Sequence, residues 1–298
     1  MSKLATLLAP YFSISIIGLG KNVGKTTVLN HIIEGFGKLG QKLALTSIGR
    51  DGEEVDVVTN TAKPQIFVSA NTVIITAEGL LRHCDATLEI LDTTGLNTPL
   101  GRIVVVRTLT GGFVQLAGPS IISQMVDLLE NLPNFGVDKI IIDGAISRKS
   151  LAGPDLARAA VLCTGAALGP DMDFVISQTR HNLEMLMLNS ISENESDCIY
   201  LDGVVSDAVI LKLMATQGRN LVGKRIVAED PGKIFVSGQI YEKLQIRRAS
   251  LGVRKGMNIA AVAINPTSPA GFAFEPVEFL NKMQTTLLVP VFDVRMEG

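Results

Sequence analysis

Hydrophobic positions recur along this chain with two different rhythms, and the switches between them lay out its elements. Residues 13–18, Ser-Ile-Ser-Ile-Ile-Gly, form a short apolar run of the kind a strand buried on both faces shows. After a glycine-rich stretch, Val28, Leu29, Ile32, Ile33, Phe36 and Leu39 fall at helical spacing, and Gly40 ends that helix. Residues 41–48 read as a second strand. Between 59 and 134 short β-like segments at 66–69, 72–76, 86–91, 101–109 and 113–117 follow one another with little helical pattern between them. Gly118-Pro119-Ser120 then opens a helix carrying Ile121, Ile122, Met125, Val126, Leu128, Leu129 and Leu132, which Pro133 stops. A buried parallel strand is predicted at 138–143 and a helix at 156–167, introduced by Pro154. Strands at 172–177, 198–201, 225–228 and 234–237 follow, with helices at 178–189, 207–217 and 238–248. Strand 258–264, helix 276–283 and strand 286–292 complete the chain.

This pattern predicts an α/β fold, a mostly parallel sheet sandwiched by helices. One domain is expected over 1–298, with a β-rich insertion at about 57–135 after the second strand and a candidate C-terminal lobe at about 200–298. Composition agrees: 47% of the 298 residues are hydrophobic and 19% charged, which suits a sheet covered on both faces and leaves apolar surface for a partner. A net charge of −2 gives no footprint for nucleic acid or an anionic membrane. Tryptophan is absent and aromatics are scarce, which argues against a base- or sugar-stacking surface. No apolar run approaches the ~18–20 residues of a spanning helix. The first ten residues lead straight into strand 13–18, so cleaving them as a signal peptide would damage the fold, and a cytoplasmic location is expected. Cys84, Cys163 and Cys198 show no C-x-x-C spacing and read as reduced thiols. His31, His83 and His181 are equally scattered, so no zinc or haem constellation is visible.

The chemistry concentrates between strand 13–18 and the following helix, in Gly18-Leu19-Gly20-Lys21-Asn22-Val23-Gly24-Lys25-Thr26-Thr27. A strand running through glycines into a helix lets successive backbone N–H groups face phosphate oxygens, and the helix N-terminus adds partial positive charge. Gly20, Lys21, Asn22, Val23, Gly24, Lys25, Thr26 and Thr27 are therefore candidate nucleotide-binding residues. Lys25 would reach the β and γ phosphates and Thr26 would ligate Mg²⁺. The strict G-x-x-x-x-G-K-[ST] spacing places its first glycine at position 19, which here is Leu19 flanked by Gly18 and Gly20, so a shifted apex is expected.

Candidate carboxylates come from three places. Asp143 ends the isoleucine-rich strand 138–143 and is expected in the Mg²⁺ shell. Asp51, with Glu53 and Asp56, follows strand 41–48 and reads either as a catalytic or metal-holding group or as an ordinary acidic turn. Asp92, in Asp92-Thr93-Thr94-Gly95, reads either as the D-x-x-G switch of P-loop enzymes and a metal ligand, or as a strand-ending turn. Arg148 and Lys149 are either charge stabilisers or a solvated loop. Asn265, after strand 258–264, is a candidate base reader, and the lack of N-K-x-D leaves guanine specificity unsupported.

The loop from Gly18 to Thr27 resembles the branch of P-loop proteins that contains dethiobiotin synthetase and the molybdopterin-guanine dinucleotide accessory protein. Ile142-Asp143-Gly144-Ala145 matches the strand-end carboxylate of dethiobiotin synthetase. Over the whole chain, Ser47-Ile48-Gly49-Arg50-Asp51-Gly52-Glu53, Asp143-Gly144-Ala145-Ile146-Ser147-Arg148-Lys149-Ser150 and Thr164-Gly165-Ala166 resemble the P-loop reactivase subunit encoded beside lysine 5,6-aminomutase in amino-acid-fermenting bacteria. The resemblance implies ATP and Mg²⁺ as cofactors. It also implies ATP-driven protection or reactivation of an adenosylcobalamin- and pyridoxal-phosphate-dependent aminomutase, together with a second ATPase subunit. No Asp-x-His-x-x-Gly motif is present, so the chain is expected to service the mutase without holding cobalamin. The alternatives are an ATP-dependent kinase or ligase of the dethiobiotin synthetase type and a nucleotide-binding scaffold.

Overall fold

The computed structural model describes residues 2–48, 65–144, 156–192 and 195–297. Its elements are α1 (Lys3–Leu8), β1 (Ser13–Gly18), α2 (Lys25–Lys38), β2 (Leu43–Ser47), β3 (Ile66–Val68), β4 (Val73–Ala77), β5 (Leu88–Thr98), β6 (Gly101–Thr108), β7 (Gly112–Val114), α3 (Ile122–Asn131) and β8 (Lys139–Asp143). They continue with β9 (Ala159–Gly165), α4 (Met172–Leu186), β10 (Cys198–Tyr200), β11 (Val205–Ser206), α5 (Asp207–Gln217), β12 (Arg225–Ala228), β13 (Ile234–Phe235), α6 (Gly238–Ile246), β14 (Ser250–Val253), β15 (Ile259–Asn265), α7 (Pro276–Thr286) and β16 (Val291–Phe292).

A nine-stranded sheet in the order β16-β15-β9-β1-β8-β2-β4-β6-β5 forms the body. From β16 across to β4 every neighbouring pair is parallel, while β6 and β5 are added antiparallel. The expected α/β architecture is thus present. Alternation along the strands sends side chains to opposite faces. Ile14, Ile16, Leu45, Ile141 and Val161 meet Leu4 and Leu8 of α1 and Leu29, Ile32 and Phe36 of α2 on one face. On the other, Ile140 and Ile142 pack with Met125 and Leu129 of α3, and Leu162 and Val262 with Val175 of α4 and Phe279 of α7. β1, β2, β8 and β9 are buried at every residue, which is why they read as continuous apolar runs.

Two expectations are corrected at the centre of this sheet. The helix expected at 156–167 is strand β9, lying directly against β1 with Gly18 opposite Cys163. The strand expected at 172–177 is the first half of α4, started by Asp171, whose carboxylate accepts from the Asp173 and Phe174 amides. An apolar run covered from both sides carries no periodicity that separates strand from helix. Near the end of the chain α7 runs on to Thr286, and the strand expected at 286–292 shrinks to Val291–Phe292.

The β-rich stretch does not stand apart from the sheet. Its β4 is the next parallel strand beside β2, β6 and β5 extend the edge, and only β3 and β7 form a separate antiparallel pair. The lobe expected at about 200–298 does not run to the end of the chain, since β15 and β16 belong to the main sheet. A three-stranded parallel sheet, β10-β12-β14, with a core of Met185, Ile210, Ile226, Leu244 and Leu251 lies between α4 and β15, after which β15, α7 and β16 return to the main body.

Candidate functional site

β1 delivers the chain to the carboxyl edge of the sheet, where ligands of parallel α/β folds sit. The Leu19 amide still donates to Cys163 O at 2.9 Å, one step beyond the paired strand. Leu19 is therefore held in the ladder and needs no glycine's freedom, so the turn begins one residue later. Gly20 is pressed close to the loop after β9, where a Cβ would fall 2.7 Å from Leu168 Cδ2. Val23 is buried and anchors the loop. Asn22 (φ 57°) and Gly24 (φ 91°) both take the left-handed conformation, and Gly24 caps α2 without any side-chain hydrogen bond to its first turn. That turn's amides, those of Lys25, Thr26 and Thr27, have no partner within the helix. Lys25 folds back, its Nζ donating to Gly20 O at 3.4 Å.

Asp143 ends β8, the strand beside β1, in register with Ile16 on one side and Ser47 of β2 on the other. It is buried, and its backbone is fixed by Ile48 N donating to Asp143 O at 3.1 Å. The Cys163 thiol on β9 reports on both charged groups. Burial pushes it up to about 12, the Lys25 ammonium opposes that and the Asp143 carboxylate adds to it. Lys25 opens the helix that follows β1 and Asp143 ends the strand beside it, so both stand at the carboxyl edge next to β1. A hydroxyl at Thr26 and a carboxylate at Asp143 form a hard-oxygen donor set suited to Mg²⁺.

The remaining predicted residues fall elsewhere. Asp92 is not brought beside the loop: it is exposed in the middle of β5, an eleven-residue edge strand, so Asp-Thr-Thr-Gly does not end a strand. Five strand-to-strand steps separate β5 from β1, roughly 24 Å at about 4.8 Å each. There Thr94 Oγ1 donates to Ile103 O at 2.8 Å, and the β5–β6 ladder shifts register on both sides of the tetrapeptide's start. Asp51, Glu53 and Asp56, with Arg148 and Lys149, lie outside the described residues. Asn265, at the end of β15, lies against the glycine loop itself, its Nδ2 donating to Asn22 O at 3.2 Å.

Sequence reasoning missed what β9 and the turn after it contribute: Cys163, whose carbonyl holds Leu19, Leu168 against Gly20, and Gly165, where a Cβ would fall 2.0 Å from Asn265 O. No periodicity in the sequence points to it, because β9 is buried on both faces and its apolar run fits a buried helix as well as a strand. Also unanticipated is a cavity of about 520 Å³ at the carboxyl end of β4, lined by Leu80, Arg82, His83, Leu100 and Gln115 among others. Among the described residues no helix is long and apolar enough to cross a membrane.

No protein-family model matches the sequence, and no curated protein is similar to it at a significant level. Among solved structures, the chain is similar to the signal recognition particle receptor FtsY from Elizabethkingia anophelis, with a TM-score of 0.30 and 11% identity over 94% of this chain and 70% of that one. The same receptor in complex with GDP gives 0.32 and 11% over 91% of this chain and 63% of that chain. pNOB8 ParA bound to nonspecific DNA gives 0.31 and 17% over 70% and 74%. Likeness at these scores says nothing about what this chain binds or does, and the reading of the site rests on its own geometry.

Proposed function

We propose that this chain binds Mg·ATP at the loop between β1 and α2 and hydrolyses it on behalf of a protein partner. One observation carries the reading: a buried strand, a left-handed glycine cap and an uncapped helix start converge beside Lys25, one strand from Asp143. The loop and first-turn amides hold the β and γ phosphates, and Lys25 exchanges Gly20 O for a phosphate oxygen. Thr26 and Asp143 hold Mg²⁺, which when bound neutralises charge across the phosphates. The choice of ATP comes from the resemblance, and competition between ATP and GTP in a binding assay checks it.

The partner the resemblance implies is lysine 5,6-aminomutase, serviced together with a second ATPase subunit. An exposed aromatic pair supports a protein partner: Phe67 and Phe113 stack edge to face with ring centroids 5.3 Å apart, both open to solvent. The test is recovery of activity by inactivated aminomutase when this chain, the second subunit and Mg·ATP are added, with the Lys25→Ala protein giving none. ATP hydrolysis without any recovery would remove the mutase assignment and leave the nucleotide site standing.

The second reading, a kinase or ligase of the dethiobiotin synthetase type, is favoured by the cavity beside Arg82 and Gln115, which opens on the sheet edge that also carries the loop. Turnover stimulated by a small carboxylate and indifferent to the mutase would decide for it.

A further inference from the structure

Asn265 stands where a base-reading residue is expected, yet both ends of its carboxamide are already engaged within the protein. Its Oδ1 accepts from the Thr267 amide at 3.3 Å, which fixes the orientation of the group and aims Nδ2 at Asn22 O, 3.2 Å away. Asn265 is itself immobilised. It lies opposite Gly165 in the β9–β15 ladder, and Thr267 Oγ1 accepts from Arg295 Nη1 at 3.2 Å. Its Cβ also closes on the loop's cap, because a Cβ added at Gly24 would lie 3.2 Å from it. The residue it holds, Asn22, is one of three non-glycine residues with positive φ among those described. That conformation carries a steric cost which persists only where the surroundings fix it.

We propose that Asn265 is a positioning residue that clamps the Asn22 peptide, and through it the phosphate-binding curl, and that it does not read the base. A trans peptide is planar, so pinning Asn22 C=O toward Asn265 turns the Val23 N–H to the opposite side of the loop, toward the phosphates. This rests on the phosphate-site reading above. The loop is thereby set before any nucleotide arrives, and phosphate affinity depends on a side chain 243 positions along the chain from the residue it holds.

Calorimetry with Mg·ATP and with tripolyphosphate, which has no base, separates the two roles. Asn265→Ala should weaken both ligands equally, by about tenfold, which corresponds to ~1.4 kcal/mol. Adding Asn22→Gly, which takes the left-handed conformation without strain, should return both to within about threefold of the Asn22→Gly protein. If Asn265→Ala does not fold, Asn265→Ser, too short to reach Asn22, makes the same comparison. Loss of ATP affinity with tripolyphosphate unchanged would make Asn265 a base reader and overturn the proposal. So would no loss for either ligand, or a loss that Asn22→Gly leaves unrepaired. A wild-type protein that binds neither ligand would instead overturn the phosphate site itself.

Discussion

The main sheet is parallel from β16 across to β4 and the small sheet β10-β12-β14 is parallel throughout, and the carboxyl edges of these two parallel arrays have opposite characters. Just past the strand ends of the small sheet β10-β12-β14 lie Asp202, Glu229, Asp230 and Arg254, each engaged within the protein. Arg254 lies 3.4 Å from Glu229 and 3.8 Å from Asp202, with its guanidinium 5.0 Å from the centre of the Tyr200 ring. Asp230 caps the turn that follows, accepting from Gly232 N at 2.7 Å. At the main sheet the edge beside β1 has a helix start without a side-chain cap and a lysine resting on a carbonyl oxygen. A parallel sheet therefore offers a position for a ligand, and only the edge that leaves its donors uncommitted has the chemistry to fill it.

The sharpest way to break this contrast is Lys25→Ala. It should lower affinity for Mg·ATP by at least about a hundredfold, because a charge-assisted contact to phosphate is lost. The circular dichroism spectrum should be unchanged, since Lys25 is not among the core residues. Unaltered affinity by calorimetry would leave the two edges equivalent. Asp143→Asn comes next. It should keep nucleotide binding within about tenfold and lose most Mg²⁺-dependent turnover. Normal turnover would transfer the metal role to another carboxylate, with Asp51 the next candidate.

How far the sequence carried these conclusions depends on what each motif encodes. The loop from Gly18 to Thr27 and Asp143 were legible because their chemistry lies in contiguous residues between a strand and a helix. Asp92-Thr93-Thr94-Gly95 has the composition of a switch, but composition does not say which strand of the sheet carries it, and β5 is the far one. β9 was illegible for a different reason. Its residues, Ala-Ala-Val-Leu-Cys-Thr-Gly, are rich in alanine and buried on both faces, so propensity points to a helix while the sheet demands a strand. A helix there does not put Cys163, Gly165 and Leu168 beside the loop, whereas strand β9 and the turn after it make them the wall behind it.

That wall gives two intermediate predictions. Gly165→Ala forces a Cβ to within 2.0 Å of Asn265 O, a backbone atom of a paired strand that cannot swing aside. A loss of about 1–3 kcal/mol in chemical denaturation is expected, together with weaker nucleotide binding as β15 shifts. The Cys163 thiol is held near 12 by burial, so the folded chain stays protonated there while an unfolded chain ionises near the ordinary thiol value of 9.0. Its contribution to stability is then complete below about pH 9 and is lost as pH rises toward 12. Cys163→Ala should flatten the alkaline limb of a stability–pH curve, and the native thiol should resist labelling at pH 8. Prompt labelling of Cys163 in the folded protein would mean that the space behind the loop admits solvent.

The smallest effect is expected at the other edge. Arg254 is partly exposed and its carboxylate partners are more so, so replacing it with alanine removes solvent-screened pairs and one cation–π contact. Such pairs contribute about 0–1 kcal/mol each, and exposed cation–π contacts about 0.5–1 kcal/mol. Arg254→Ala should therefore cost at most about 3 kcal/mol in denaturation and leave Mg·ATP affinity unchanged. The affinity measurement is the informative half. A drop in affinity would mean that the small sheet supplies charge to the nucleotide site after all, and its self-satisfied edge would then be a resting arrangement which ligand binding rearranges. An unchanged affinity beside a modest loss of stability would keep the two edges chemically separate, with the β1 edge alone equipped for phosphate.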